Sequence, residues 1–536
     1  DGNLRITQTD SHGQKKIVYS NAKIPYGGKW YVEWIMGGGG ACTLGMGING
    51  KVEFRGSDTQ IGTDTNSWGY EPQGNLFHNG NQGGSFGSCA AGDVIGMTID
   101  TSGDTLTIQW HKNGVLIRNG NNIAEFTDIS LDEDYIVMMS HHTPNYDTLV
   151  NFGQKPFKFP PPDGFQPLNT ANTRPVNVIS RPDQYVGIIT YVGAGATKTF
   201  TGLNFGDVPD LVWMKNRDRT SYGDGTSAHH YLYDTVRGTG TGKMLTPSTT
   251  EVEGSKSTEA DLDGFVRDGF RLDAASGTDC INNSGDDFIA WCWKAGGNKN
   301  TFNVDDVGYA SAAAAGLDGG SIAVTGASVG TKQGFSIIKY TGTGTAGTIS
   351  HGLLEQPKFV IIKDLKNANA WAIQHVGTTL GTGLLKFNTD DVDSTVASAV
   401  WNSTAPTSSV FSVGTSGDTN YTTNSAEYIA YLWHDVPGLQ KFGVYEGNGN
   451  TNGTFVELGF RPALLWRKGI DNNSRGWYIL DNERNKHNPT NTFLDAADND
   501  QDGTGTAVDF LSNGFKLRNS DAGTNHSETY IYCAWA

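Results

Sequence analysis

From Asp498 the chain reads DNDQDGTGTAVD, which places Asp498, Asp500 and Asp502 at alternate positions, Gly503 sixth, Thr504 seventh and Asp509 twelfth. Alternate oxygens converging on a hard cation, with a glycine at the sharp bend, is the spacing of a calcium loop in which the seventh residue offers its carbonyl. Calcium is thus the one cofactor the sequence offers. Two features depart from that pattern: position 12 is Asp, shorter than the usual bidentate Glu, and no helical periodicity flanks the loop. Without a metal the same residues make an Asn/Asp/Gly turn on an acidic surface, and the spacing supports both readings equally.

A second stretch, WGYEPQGNLFHNG at 68–80, scatters aromatic rings among Gly, Pro and Asn, a composition of turns. Aromatic platforms of this kind hold sugars or peptide side chains. Tyr70, Asn75, Phe77 and His78 form the candidate ligand-binding set, with Trp68 expected to fold inward over a core. Catalytic chemistry is poorly supplied. There is no HExxH, no HxH with a nearby third ligand and no GxSxG elbow. In the pairs His141-His142 and His229-His230, adjacent strand residues point to opposite faces, so one of each pair is expected to face solvent. No set of nucleophile, base and oxyanion donor is legible, so no catalytic residue is assigned and the chain reads as non-enzymatic.

The elements that would position these groups repeat. PDLVWMK (Pro209 to Lys215), PKFVIIK (Pro357 to Lys363) and PALLWRK (Pro462 to Lys468) share one pattern. Each is a continuous apolar run with β-branched or aromatic members, the mark of a strand covered on both faces. The prolines are 148 and 105 residues apart, and Tyr191, Tyr340 and Tyr445, each ending the preceding strand, are 149 and 105 apart. Aromatic strands follow at 229–236, 370–376 and 476–483, and each unit closes with another: DDFIAWCW, EYIAYLWHD and ETYIYCAWA. Lys215, Lys363 and Lys468 read as solvent-facing strand-end anchors rather than catalytic amines. The sequence therefore predicts three homologous β-sandwich-like modules at 184–297, 334–435 and 441–536. A Gly/Ala-rich segment at 298–333 reads as a linker, and VPGLQKF at 436–442 is so short that the last two modules must pack directly.

The first 168 residues follow a different pattern. In GKWYVEW, Trp30, Val32 and Trp34 share one strand face with Glu33 on the other. TLGMGINGKVEF predicts a hairpin turning at Asn49-Gly50, and residues 93–117 predict a meander turning at Ser102-Gly103 and Asn113-Gly114. The ordered motifs GKWYVEW, WGYEPQGNLFHNG, GDVIGMTID, LTIQWHKNGV and VNFGQKPF resemble a SPRY domain, the core of the B30.2 module. The resemblance implies an antiparallel β-sandwich over 1–168 that binds partners through loops at one end. A Pro-rich linker at 169–183 would join it to the repeats. The ending NFGQKPFKFPPPDGFQPLNT is similar to SPRY domains of phage and environmental viral structural proteins, and the three repeats resemble modules of phage tail proteins.

With 536 residues, 71 of them Gly, and few signs of helical periodicity, the expected fold class is all-β. A formal charge of −17 argues against a nucleic-acid partner, and no apolar run reaches the eighteen residues of a membrane span. Five cysteines, an odd number without a CxxC pair, are not a disulfide framework and suit assembly in a reducing cytoplasm. The missing initiator Met reads as part of a longer or processed polypeptide. Together these point to a virion structural protein, a tail fibre or similar appendage, with the SPRY-like unit binding a host-surface glycan or protein. Other virion proteins, and two further copies in a homotrimer, are the remaining expected partners. A cell-surface adhesin or lectin is the alternative, and a polysaccharide depolymerase a more distant one.

Overall fold

The computed structural model describes residues 5–7, 16–37, 43–50, 61–131, 135–141, 147–169, 172, 178–240, 242–255, 261–274, 280–394, 398–472, 475–521 and 523–536. The chain is almost entirely β, and its compact units are 1–176 and 177–536.

In the first unit two antiparallel sheets enclose one core. One carries Lys29–Met36 between Asp147–Asn151 and Val94–Asp100, with Thr105–Lys112 beyond; the other carries Thr43–Gly50 between Tyr135–His141 and Ser67–Glu71. Trp30, Val32 and Trp34 enter the core with Leu106, Ile108 and Trp110. The meander turns where the sequence places it: Asn113 (φ 51°) and Gly114 (φ 79°) take the left-handed conformation that a two-residue hairpin of this hand demands. One expectation fails. Asn49 and Gly50 lie inside a strand, paired with Ile136 and Tyr135, so Asn-Gly here is not the turn; residues 51–60 lie outside the described set. Glu33 is on the other face of its strand from Trp30, Val32 and Trp34, and it is buried because residues 151–158 fold over it: Asn151 Nδ2 donates to its carboxylate at 3.0 Å and the Lys158 amide at 2.9 Å.

The second unit repeats one arrangement three times. Each repeat has a four-strand sheet of the same order: Val186–Val192, Asp287–Trp293, Leu211–Asn216, His230–Asp234; then Phe335–Thr341, Glu427–Trp433, Phe359–Asp364, Ala372–His375; then Gln440–Glu446, Thr529–Trp535, Leu464–Gly469, Tyr478–Asp481. Registers match as well. Trp293, Trp433 and Trp535 stand opposite Leu211, Phe359 and Leu464, while Lys215, Lys363 and Lys468 stand opposite Ile289, Ile429 and Ile531. Tyr191, Tyr340 and Tyr445 donate in turn to the carbonyls of Ile281, Thr419 and Thr524, at 2.7, 2.6 and 2.9 Å.

The apolar runs are continuous because both faces of these sheets are covered. One face closes on its own repeat: Val212 and Met214 in the first, Val360 and Ile362 in the second, Leu465 in the third. The other enters one core shared by all three, holding Trp213, Trp291 and Trp293, Phe359, Trp371 and Trp433, and Trp466, Trp477 and Trp535. The matched Trp293, Trp433 and Trp535 pack edge-to-face on one another at 5.6 to 6.4 Å, marking a pseudo-three-fold axis.

The segment 298–333 is not a linker. Phe302–Val304, Val307–Tyr309 and Val324–Gly330 are strands that extend the second repeat's sheet, because Val324 and Ala327 find apolar cover there despite the small residues around them. The joint at 436–442 is tied by the Gln440 amide, which donates to the carbonyls of Gln333, Gly334 and His434 at 2.8 to 3.0 Å.

Candidate functional site

In the first unit the stretch at 68–80 is a strand pair, Ser67–Glu71 with Asn75–Phe77, rather than a loop. The strand's alternation exchanges the roles expected of its aromatics. Tyr70 is fully buried, its hydroxyl donating to Gly87 O at 3.0 Å, and so cannot meet a ligand. Trp68, two residues earlier at the edge of the same face, is half-buried and stacks on His78 with ring centroids 4.5 Å apart and planes 8° from parallel. Phe126 meets His78 edge-on at 6.1 Å, and the His78 ring is held by its Nδ1 at 3.1 Å from Ser67 O. Phe77, opposite Gly69, is half-buried on the other face of the strand pair from Trp68, and Asn75 is on that face too, donating to Glu71 at 3.0 Å. The surviving surface is thus Trp68, His78 and Phe126, an aromatic rim with imidazole polarity at one end. Phe126 was not legible because it comes from another strand, Glu125–Ser130, far along the chain.

In the second unit the three matched lysines lie at the joints between repeats. Lys215, Lys363 and Lys468 are fully buried and not solvent anchors. Lys215 donates to Asn499 O of the third repeat at 3.2 Å, and Lys363 to Thr250 O of the first at 3.3 Å. Lys468 donates to Arg475 O at 2.6 Å and its ammonium feels Asp390 and Asp391 of the second repeat. Matched aromatic and imidazole groups repeat the direction. His230 Nε2 lies 2.9 Å from Asp495 O, Trp371 Nε1 donates to Thr246 O at 3.2 Å, and Trp477 Nε1 to Lys386 O at 2.8 Å. First reaches third, second reaches first, third reaches second: the contacts close a ring. His230 accepts from Trp213 Nε1 at 2.9 Å, and burial drives its pKa well down, so it is a neutral structural imidazole. Its neighbour His229 is half-buried against Ser248 Oγ at 3.1 Å, and the His141-His142 pair lies outside the described side chains.

A further layer of the ring is ionic. Tyr431 donates to Asp234 at 2.7 Å and Trp291 Nε1 to Asp481 at 3.3 Å, while the matched residue of the second repeat, His375, meets Tyr532 O at 3.1 Å. Asp234 pairs with buried Arg237 at 2.6 Å, and Asp481 with buried Arg484 at 2.7 Å.

The stretch from Asp498 belongs to this ring. Asp502 is held by Arg217 at 2.9 Å and by Arg484 at 2.8 Å. The Lys215 ammonium faces Asp498, Asp500 and Asp502 together. Asp509 sits on the strand Gly503–Leu511 and pairs with Arg518 at 2.5 Å, while Thr504, on that strand too, stands opposite Thr492 of the neighbouring strand Thr490–Asp495. The five residues are therefore not gathered round one point, and among the described residues no group of three or more His, Cys, Asp or Glu is placed to hold a metal. The cations that meet these carboxylates come from another repeat, which no spacing along one stretch reveals.

Burial holds the lysines' pKa down, to about 7 for Lys215 and about 8 for Lys363 and Lys468, against 10.5 for a free lysine. The unfolded chain then binds more protons between pH 8 and 10.5, so these groups make stability rise with pH across that window. The buried tyrosines and cysteines, pushed up by burial, act in the opposite sense. Lys363→Met is the informative variant. The unfolding free energy of the wild type is expected to rise relative to that of the variant as pH goes from 8 to 10, read by urea denaturation; a constant difference would mean that burial does not hold the lysine's pKa below that of a free side chain.

Residues 181–536 match the family model of a domain of unknown function, DUF7483. The chain belongs to the DUF7483 family. The match spans the whole three-repeat ring. No curated protein sequence matches the chain. Among solved structures it is similar to a human SPRY domain, at 16% identity over 29% of this chain and 94% of that one, with a TM-score of 0.24. The SPRY domain of human HERC1 is 21% identical over 29% of this chain and 99% of that one, with a TM-score of 0.22.

Proposed function

We propose that this DUF7483 protein is a non-enzymatic binding and structural protein, a component of a virion tail fibre or similar appendage. In this reading the first unit binds a host-surface glycan or protein through its aromatic rim, and the three-repeat unit serves as a rigid body. One observation carries it: the matched lysines Lys215, Lys363 and Lys468, the imidazoles of His230 and His375, and the Arg217 guanidinium, groups that could do chemistry, are committed to joints between repeats. What remains for recognition is the half-exposed Trp68–His78 stack, and such a platform suits the apolar face of a sugar or a peptide side chain, with the imidazole giving direction. Assembly with two further copies and with other virion proteins belongs to the same reading, and sedimentation of the purified chain reads the copy number.

The test is binding of the full chain to glycan arrays and to whole cells. Trp68→Ala with His78→Ala is expected to lower binding at least tenfold. Tyr70→Phe, which removes only a buried hydroxyl, is expected to leave it unchanged. Binding retained by residues 177–536 alone, and by the Trp68/His78 double variant, would move recognition to the repeats. An adhesin or lectin of a cell surface is the alternative; immunogold labelling of particles against cell envelopes separates the two.

A further inference from the structure

The strand Leu464–Gly469 alternates between two cores: Leu464 and Trp466 enter the shared one, while Leu465 enters the third repeat's own. Arg467 follows Leu465 on that inner face, and the register fixes its counterparts. Arg467 stands opposite Tyr532 as Met214 stands opposite Ala290 and Ile362 opposite Ala430. Where two repeats insert an apolar side chain into the core between their sheets, the third inserts a guanidinium.

That guanidinium is fully buried, and among the described residues no carboxylate or carbonyl accepts a hydrogen bond from any of its three nitrogens. The fold treats its other buried arginines differently. Arg237 has Asp234 and Glu253, and Arg484 has Asp481 and Asp502. Around Arg467 lie aromatic groups instead: the Tyr478 ring, 5.9 Å from its Cζ, and Tyr445, whose hydroxyl is a neutral oxygen near the guanidinium and itself donates to Thr524 O. Arginine keeps its proton in proteins, so it cannot escape the cost of burial by neutralising itself. A buried charge without a partner is among the most destabilising arrangements a core can contain.

We infer that Arg467 binds a small monovalent anion of the halide class inside the third repeat, at a single site per chain. Charge selects the class. One guanidinium with no second cation neutralises one negative charge, whereas a divalent oxyanion would leave an uncompensated charge in the same core. Chloride accepts several N–H donors without directional demand, which matches a guanidinium with five donors and, beyond the Tyr445 hydroxyl, no acceptor for them among the described residues. The site does not depend on what the first unit recognises.

The experiment is urea denaturation of the full chain in sodium chloride and in sodium gluconate at equal ionic strength. Binding only the folded state multiplies the folding constant by 1 + [L]/Kd, so above saturation each tenfold increase in chloride raises that constant about tenfold in the wild type. Arg467→Met, which installs the residue the first repeat carries, is expected to be stable in gluconate and to show no chloride-specific gain. Crystals of the wild type grown in bromide are expected to show an anomalous peak within about 3.5 Å of the guanidinium, the reach of a charge-assisted hydrogen bond to a large anion. If Arg467→Met does not fold, the wild-type titration and the bromide peak still decide. Equal wild-type stability in the two salts, a chloride response that persists in Arg467→Met, or bromide crystals without the peak would overturn the site.

Discussion

Trp466→Ala is expected to destabilise the second unit by about 3–5 kcal/mol, the range for removing a large aromatic from a packed core. Its ring meets Trp213 at 5.0 Å, Trp535 at 5.1 Å, Trp293 at 5.8 Å, Phe387 at 5.8 Å and Phe359 at 6.2 Å, so it touches all three repeats. The loss should therefore fall on the unit as a whole. Calorimetry is expected to show the endotherm of 177–536 moving as one, while Val307→Ala, at a half-exposed position, stays within about 0.5 kcal/mol. A variant in which only the third repeat's transition moves would mean that the repeats fold independently and the shared core is not cooperative.

Asp234→Ala is the second substitution with a large expected cost, about 3 kcal/mol, because it strips a buried partner from Arg237 and an acceptor from Tyr431. Glu253, 3.1 Å from Arg237, still shares that charge and keeps the loss at the lower end for a broken buried pair. An exposed pair such as Arg181–Asp183 is worth about 0–1 kcal/mol by comparison. The discriminating measurement is the double-mutant cycle with Tyr431→Phe, since the two residues lie in different repeats. A coupling of about 0.5–3 kcal/mol is expected; additive losses would show that the joint between first and second repeats does not run through this bond.

Much of this architecture is legible in the residues. The locked spacings of the prolines and tyrosines disclose three copies, and runs such as LVWM and FVII disclose strands covered on both faces, since a half-exposed strand would alternate. Asn113-Gly114 discloses its turn because both residues must take positive φ. What stays hidden is supplied by other parts of the chain. Lys363 looks like an anchor until a carbonyl of the first repeat caps it. Asp502 looks like a calcium ligand until Arg217, 285 positions away, takes its oxygen. Trp68 and Tyr70 sit in five strand residues among turn formers, too short an alternation to tell rim from interior. The Gly/Ala segment reads as a linker because small residues give little apolar signal, although backbone pairing alone can recruit them to a sheet.

Joining three copies in one polypeptide alters what evolution can do at the axis. In an assembly of three identical chains every substitution appears three times, so a charge placed near the symmetry axis meets two replicas of itself. Here each copy drifts alone. Asp234 and Asp481 coexist with His375 at one matched position, and Met214 and Ile362 with Arg467 at another. Covalent linkage also replaces subunit encounter by a high effective concentration, so the ring closes at any dilution. A fused ring of this kind can retain the packing of a symmetric trimer while holding one odd residue in one copy of the repeat rather than three equivalent ones.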